Sequence, residues 1–393
     1  MTVARSRSLL TEVIVTVTLN PALDLTYSVD ALVRHTTHRV HTVTERPGGK
    51  GLNVARVLRA AGEPVLATGL LGGATGARVA ELLTTDPTHP TAPTHPAAPT
   101  HPAAPTHPTT LLDVGLPVGV DTTSGESAQP GASAATAVEG TGLAGEFVWI
   151  GGETRRTVSV LDGGDATGFW EPGPLVTAGD WTRFVERYDM LLGRATVVVL
   201  SGSLPPGLPV DAYATLIRMA RERRVPTALD TSGEPLRHGV SAGPDIVKPN
   251  AAELAALIKD TATEGGGVER FVEPEEVAAA SRALAIGCRT VVVSYGRRGL
   301  LALSGTEGWR AVPPDVVAGN PTGAGDACVA ALARGLRDGT AWPALLADAV
   351  ALSAAAVAVP VAGGFDHETY QRLRPRVVVT SLGNRSTQGV HDV

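Results

Sequence analysis

Short apolar runs rich in β-branched residues alternate along the chain with amphipathic segments of helical spacing. The runs predict buried strands at residues 13–19, 65–70, 196–200, 225–229, 245–247 and 290–294. The amphipathic segments predict helices at 51–61, 77–83, 210–222, 251–258, 274–286, 324–336 and 342–357, which makes the end of the chain mostly helical. Strands that are apolar on both faces need helices on both sides, so the pattern predicts an α/β fold with a mainly parallel sheet.

The composition narrows the class of protein. The chain has 393 residues, of which 43% are apolar and 18% charged, and its formal net charge is −6. This balance argues against nucleic-acid and membrane partners. The sequence contains no run of 18 apolar residues that would predict a membrane-spanning helix. Its two cysteines cannot form a disulfide framework, so we expect a cytoplasmic protein.

Two stretches interrupt the alternating pattern. Residues 86–110 hold a Pro/His/Thr repeat with a histidine every six residues. In polyproline II successive histidines would lie about 19 Å apart, so the repeat predicts a solvated spacer rather than a metal site. Residues 122–145 are rich in Gly, Ala, Ser and Thr and predict a disordered low-complexity insertion, and residues 381–393 predict a frayed tail.

The segment Asn320-Pro-Thr-Gly-Ala-Gly-Asp326 leads directly into an apolar helix. The small residues Gly323, Ala324 and Gly325 let backbone N–H groups point at one spot, where the helix N-terminus adds partial positive charge. This pattern predicts an anion hole, beside which Asp326 is placed to take a proton from an attacking hydroxyl. An ordinary glycine-rich turn with Asp326 as a helix cap is the alternative.

The segment Pro47-Gly-Gly-Lys-Gly-Leu-Asn53 also opens a helix. Gly49 allows close approach by a ligand, Lys50 offers a cation, and Asn53 presents an amide on the first turn. The segment lacks the Gly-x4-Gly-Lys-Ser/Thr pattern of a P-loop. A tight strand-to-helix turn explains it equally well.

A third segment, Val247-Lys-Pro-Asn-Ala-Ala-Glu253, follows a predicted strand. Asn250 and Glu253 are three residues apart and share one helix face. Their amide and carboxylate oxygens are hard ligands suited to Mg²⁺ or its water shell. A capping box that only stabilises the helix is the alternative, with Asn250 as N-cap.

Together the three segments resemble the motifs of the phosphofructokinase-B family of ribokinase-like carbohydrate kinases, in the family's order and spacing. The resemblance covers most of residues 13–375. Residues 18–24, 201–207, 229–234 and 293–296 resemble the branch that contains 1-phosphofructokinase and tagatose-6-phosphate kinase. The resemblance implies a three-layer α/β/α fold, a single kinase domain over residues 1–380, and a small β-sheet lid from residues 25–45, 111–121 and 147–160.

The resemblance also implies roles for individual residues. The catalytic base would be Asp326, and the anion hole would consist of Gly323, Ala324 and Gly325. The substrate-binding residues would be Asp24, Gly49, Lys50, Asn53 and Arg155, whose guanidinium would grip a phosphate already on the sugar. The nucleotide-binding residues would be Lys248, Ser294 and Gly296. Asn250 and Glu253 would position the Mg²⁺ water shell, which makes ATP and Mg²⁺ the expected cofactors.

The implied activity is ATP-dependent phosphorylation of a phosphorylated ketohexose, with fructose 1-phosphate as the first candidate. The alternatives are tagatose 6-phosphate, fructose 6-phosphate, another sugar or a nucleoside, and a non-catalytic sugar-phosphate sensor. A homodimer formed through the lid agrees with the resemblance. A dinucleotide-dependent oxidoreductase is excluded, because no predicted strand is followed by Gly-x-Gly-x-x-Gly and a later acidic residue.

Overall fold

The computed structural model describes residues 12–84, 136–138, 143–163, 165–259, 280, 282 and 287–383. The α-helices of these ranges are α1 (Lys50–Ala60), α2 (Gly73–Thr84), α3 (Ala178–Leu192), α4 (Ala212–Glu222), α5 (Gly233–Ser241), α6 (Ala251–Lys259), α7 (Ala324–Asp338), α8 (Trp342–Val357) and α9 (His367–Leu373). None of these described helices has both the length and the apolar character needed to cross a membrane. The predictions that lie outside the described residues concern the repeat at 86–110, the segment 111–121, most of the insertion at 122–145, most of the helix at 274–286 and residues 384–393.

Two β-sheets organise the described residues. The central sheet contains β1 (Val13–Thr18), β4 (Val65–Gly72), β5 (Thr136–Val138), β6 (Gly145–Ile150), β9 (Ala195–Ser201), β10 (Thr227–Asp230), β11 (Ile246–Val247), β12 (Thr290–Ser294), β13 (Leu300–Ser304), β14 (Glu307–Val312) and β15 (Val378–Ser381). The small sheet contains β2 (Ala22–Val29), β3 (Thr42–Gly48), β7 (Arg155–Asp162) and β8 (Asp165–Trp170).

The strand order of the central sheet is β15-β14-β13-β12-β11-β10-β9-β1-β4-β6-β5. In this order, the seven consecutive strands that begin with β12 and end with β6 pair in parallel. At the two edges, each remaining strand pairs antiparallel with its neighbour. The small sheet has the order β3-β2-β7-β8. The prediction of a mainly parallel sheet is confirmed.

The central sheet is buried on both faces, because successive residues of its strands alternate between two apolar clusters. In β1, Ile14 packs in the first cluster, whereas Val15 and Val17 pack in the second. The first cluster includes side chains of α1, α2, α7, α8 and α9, and the second includes side chains of α3, α4, α5 and α6. This arrangement confirms the three-layer α/β/α fold.

The helices predicted at 324–336 and 342–357 are confirmed as α7 and α8, but three nearby strands were not predicted. Strands β13, β14 and β15 extend the sheet beyond β12 as antiparallel neighbours. Their short sequences gain strand structure from pairing with a neighbour, which a local pattern does not reveal. Helix α3 was also missed, although Thr177 and Asp180 form the capping box that marks its start.

The small sheet differs in its residues from the sheet that the resemblance implied at 25–45, 111–121 and 147–160. Residues 147–150 belong to β6, which pairs with β4 in the central sheet. The small sheet instead continues through β8 to Trp170, past the predicted limit. Within the predicted low-complexity insertion at 122–145, β5 pairs antiparallel with β6. The physical reason is that the pairing partner decides which sheet a short strand joins.

Candidate active site

The three motifs meet at the carboxyl ends of the central strands. Asp230 ends β10, and Lys248 directly follows β11. Helices α1 and α7 begin at the same edge and pack against each other. Their contact brings Asn53 to Asp326 across 273 positions of the chain. Parallel strands therefore gather distant residues into one site, as the α/β pattern predicts.

Asp326 is buried in the first turn of α7, with 6% of its surface exposed. The Asn53 side-chain amide donates to Asp326 Oδ2 at 2.8 Å. Burial raises the pKa of Asp326 to about 7, and the charge of Asp230 acts in the same direction. The Asn53 hydrogen bond and the charges of Lys50 and Lys248 partly oppose this shift. A carboxyl group with a pKa near neutrality is suited to accept a proton during turnover.

The N-terminus of α7 presents free backbone donors. Gly323 is the N-cap, and its φ of 87° lies in the left-handed region that favours glycine. The N–H of Ala324 already donates to the Pro321 carbonyl at 3.2 Å. The N–H groups of Gly325 and Asp326 have no partner among the described residues. Ala324 was predicted to donate to an anion here, but its N–H is already hydrogen-bonded. The N–H groups of Gly325 and Asp326 are therefore the free donors at this helix end.

Two lysines lie beside this helix end and share one carboxylate. Lys50 Nζ is 3.2 Å from Asp230 Oδ1, and Lys248 Nζ is 3.5 Å from the same oxygen. A Cβ built at Gly325 would lie 3.7 Å from Lys248 Nζ, so this ammonium group adjoins the anion hole. Burial of Lys248 favours its neutral form, but its neighbours, Asp230 first among them, keep its pKa above the ordinary value. The site therefore holds two cations in fixed positions.

We expect Asp230→Asn to lower the free energy of unfolding by about 3 kcal/mol, because it leaves the buried Lys248 charge without its partner. Urea unfolding would measure the loss. The matched control is Asp189→Asn, which removes an exposed partner of Arg223 and should cost less than about 1 kcal/mol. Equal losses in the two variants would contradict the role given to Asp230.

On the other side of the site, Asp24 lies on the small sheet. The Thr157 hydroxyl donates to Asp24 Oδ1 across the β2–β7 pair. A Cβ at Gly48 would overlap the Asp24 carboxylate, so glycine is required there by close approach. Burial raises the pKa of Asp24, although the Thr157 hydroxyl and the charges of Arg155 and Arg56 act in the opposite direction. Asp24 is thus a restrained, desolvated carboxylate that sugar hydroxyls can meet.

Arg155 lies beside Asp24 on the same face of the small sheet. Its Nε donates to the Asn20 carbonyl at 3.2 Å, and its Nη1 donates to the Glu171 carbonyl at 3.1 Å. Its Nη2 has no partner among the described residues. Arg156 is exposed and pairs with Glu171 at 3.4 Å. Because side chains alternate along β7, the two arginines point to opposite faces of the sheet.

The predicted nucleotide and metal residues line the strand ends next to Lys248. Asn250 and Glu253 form a capping box, in which Glu253 N–H donates to Asn250 Oδ1 at 2.9 Å and Asn250 N–H donates to Glu253 Oε2 at 2.8 Å. Glu253 Oε1 has no hydrogen-bond partner in the described part of the chain, and this hard oxygen fits a water-mediated Mg²⁺ contact. The Ser294 N–H donates to the Pro249 carbonyl at 3.1 Å, which joins this segment to β12. Gly296 follows in an exposed turn with φ of 58°.

Reasoning from the sequence missed several residues of the site. Asp230 lies in the segment 229–234, which carried part of the family resemblance but suggested no role. Thr157 follows the two arginines of β7 and gave no signal of its own. Arg46 and Arg56 also adjoin Asp24, and their positions near Asp24 depend on the register of β2 and β3 and on the packing of α1.

A family model supports the class of protein that this site defines. The model for pfkB family carbohydrate kinases matches residues 17–86 and 132–367. The chain belongs to the pfkB family of carbohydrate kinases, and it is an ATP-dependent sugar kinase.

Solved structures of similar fold include phosphofructokinase-2 from Escherichia coli in complex with potassium. It is 24% identical, with 93% of this chain and 99% of that chain covered and a TM-score of 0.73. The tetrameric inhibited form of the same enzyme has the same identity and coverage and a TM-score of 0.71. A possible 1-phosphofructokinase from Thermotoga maritima is 23% identical, with 95% and 100% covered and a TM-score of 0.67. At these identities the likeness shows the fold.

Proposed function

We propose that the protein transfers the γ-phosphoryl group of ATP to a hydroxyl of a phosphorylated ketohexose, with fructose 1-phosphate as the first candidate. The observation that carries this choice is the position of Arg155, beside Asp24 and with a free guanidinium nitrogen. A guanidinium next to the sugar-binding carboxylate can grip a phosphate dianion through two hydrogen bonds. Free sugars offer this guanidinium only neutral hydroxyl acceptors, whose hydrogen bonds are weaker than those of a charged phosphate.

In the proposed reaction Asp326 accepts the proton of the acceptor hydroxyl while the hydroxyl oxygen attacks the γ-phosphorus. The bond from the γ-phosphorus to the bridging oxygen breaks, and ADP leaves with the electron pair. The N–H groups of Gly325 and Asp326 donate to the oxygens of the phosphoryl group in transit, and Lys50 and Lys248 offset its negative charge. Asn53 holds the Asp326 carboxylate in place.

Asn250 and Glu253 would hold Mg²⁺ through its water shell, as the exposed Asn250 and the unengaged Glu253 oxygen allow. When bound, Mg²⁺ would neutralise charge on the β- and γ-phosphates of ATP. The fixed ammonium groups of Lys50 and Lys248 act on the same phosphates from the protein side.

We also propose that the small sheet acts as a lid over the sugar and that two such lids join in a homodimer. We propose a cytoplasmic location for the enzyme.

The pH dependence should follow the ionisation of Asp326. Only the deprotonated carboxylate accepts a proton, and the pKa of about 7 keeps much of the enzyme protonated at slightly acidic pH. We therefore expect kcat/KM to rise about tenfold per pH unit below about pH 7 and to level off above it. Steady-state rates over a pH series would measure this limb.

Two variants test the assignment of that limb. Asp230→Asn removes a charge that raises the pKa of Asp326, so it should move the midpoint to lower pH. In Asp326→Asn the remaining activity should no longer rise with pH below about pH 7. A limb that persists in Asp326→Asn would belong to the substrate or to another group.

Turnover against a panel of sugars tests the proposed function. ADP release would be measured with fructose 1-phosphate, fructose 6-phosphate, tagatose 6-phosphate, free fructose and a nucleoside. We expect the highest kcat/KM with a ketohexose monophosphate. A higher value with the free sugar or the nucleoside would overturn the substrate class. Binding of sugar phosphates without any ADP release would favour a sensor.

A further inference from the structure

A second pair of arginines, Arg46 and Arg56, lies close to Asp24. Arg46 stands directly opposite Asp24 in the β2–β3 register, so both side chains lie on the same face of the small sheet. Arg56 lies on α1, one turn after Asn53, with 6% of its surface exposed. The charge of Arg46 is near enough to act on Arg56.

Each of the two guanidinium groups has a buried donor that the protein leaves unsatisfied. Arg46 Nε and Arg56 Nε are both buried, and neither atom has a hydrogen-bond partner. Within the described part of the chain, no ion pair is formed by Arg46, Arg56 or Arg155. Asp24 acts on both Arg155 and Arg56, and Glu171 also acts on Arg155, so these three guanidinium groups have two neighbouring acids.

This arrangement is costly unless an anion joins it. Burial, together with the charge of Arg46, lowers the pKa of Arg56 to about 10. Two like charges held close together in a desolvated place repel each other, and unpaired buried donors add a further penalty. A dianion between them would satisfy the donors and offset the repulsion.

The two arginines differ in what else they do. Arg56 donates through Nη1 to the Ala362 carbonyl at 3.0 Å, and Gly363 packs against its guanidinium group. Ala362 in turn contacts Gly323, so Arg56 also supports the loop next to the anion hole. The Arg46 side chain forms no hydrogen bond or ion pair among the described residues. A structural role therefore accounts in part for the buried position of Arg56 but not for that of Arg46.

We infer that Arg46, backed by Arg56 and acting with Arg155, forms the subsite for the phosphate group that the acceptor sugar already carries. This inference rests on the proposed function and deepens it, because it makes Arg46 a determinant of specificity for phosphorylated over free sugars. The planar forks of the arginines suit a phosphate, and the hydroxyls of the same sugar would reach Asp24.

Replacing Arg46 in the full-length protein tests this inference. We expect Arg46→Met to lower kcat/KM for the preferred ketohexose monophosphate by about 10- to 100-fold and to leave kcat/KM for free fructose unchanged. Arg46→Lys, which keeps the charge without the fork, should give an intermediate loss. The control Arg39→Met removes an exposed arginine from the segment before β3 and should alter neither value.

A binding measurement separates failure of this inference from failure of the proposed function. Without ATP, fructose 1-phosphate and fructose 6-phosphate should raise the melting temperature of the wild type more than free fructose does, and Arg46→Met should remove the difference. That result would support the subsite even if no sugar were phosphorylated. Equal losses for phosphorylated and free sugars, or unchanged values in both assays, would overturn it. If Arg46→Met does not fold, Arg46→Gln and Arg46→Lys provide the same comparison.

Discussion

Asp326→Asn is expected to lower kcat by about 100-fold or more, while ATP binding changes little. The asparagine keeps the size of the side chain but cannot accept the proton of the attacking hydroxyl, and loss of a general base has an effect of this order. Steady-state turnover with saturating sugar phosphate would measure kcat, and titration of ATP would measure binding.

The matched control is Asp338→Asn, at the other end of α7. Asp338 pairs with Arg337 at 2.7 Å, far along the helix from the anion hole, so its substitution should leave turnover unchanged. A folded Asp326→Asn enzyme with near-wild-type turnover would refute the assignment of the base. A comparable fall in the control would indicate that any change in α7 is harmful.

Arg155→Ala should lower kcat/KM for the phosphorylated ketohexose by about 30- to 1,000-fold, corresponding to roughly 2–4 kcal/mol for a charged bidentate contact in a closed site. Turnover of free fructose and the ATPase background should not change, because neither presents the sugar phosphate. The comparison of kcat/KM values for the phosphorylated and free sugar would measure the effect.

Arg156→Ala is the built-in control for Arg155, since it removes the same side chain from the adjacent position of β7. Arg156 pairs with the exposed Glu171 and points to the other face, so its loss should be much milder. If both variants lose equally, or if free fructose loses as much as its phosphate, Arg155 does not recognise the phosphate.

The candidate site could be predicted to different extents on its two sides. Around the anion hole, each motif is a continuous segment at the start of a helix or the end of a strand, so Lys50, Lys248 and Asp326 could be recognised from the residues next to them in the sequence. On the sugar side, the site depends on strand register. Arg46, Asp24 and Thr157 occupy one row across β3, β2 and β7, although they are far apart in sequence.

The layered α/β architecture and the parallel central strands could be predicted from the sequence, because strands buried on both faces are apolar and β-branched along their whole length. The family could be predicted from the three motifs and their order. Three features became evident from the folded structure: Asp230 pairs with two lysines, burial moves the pKa of Asp326 to about 7, and residues 147–150 join the central sheet. Charge pairing, desolvation and the choice of a strand partner all depend on which distant groups come together. Short-range sequence patterns do not reveal those contacts.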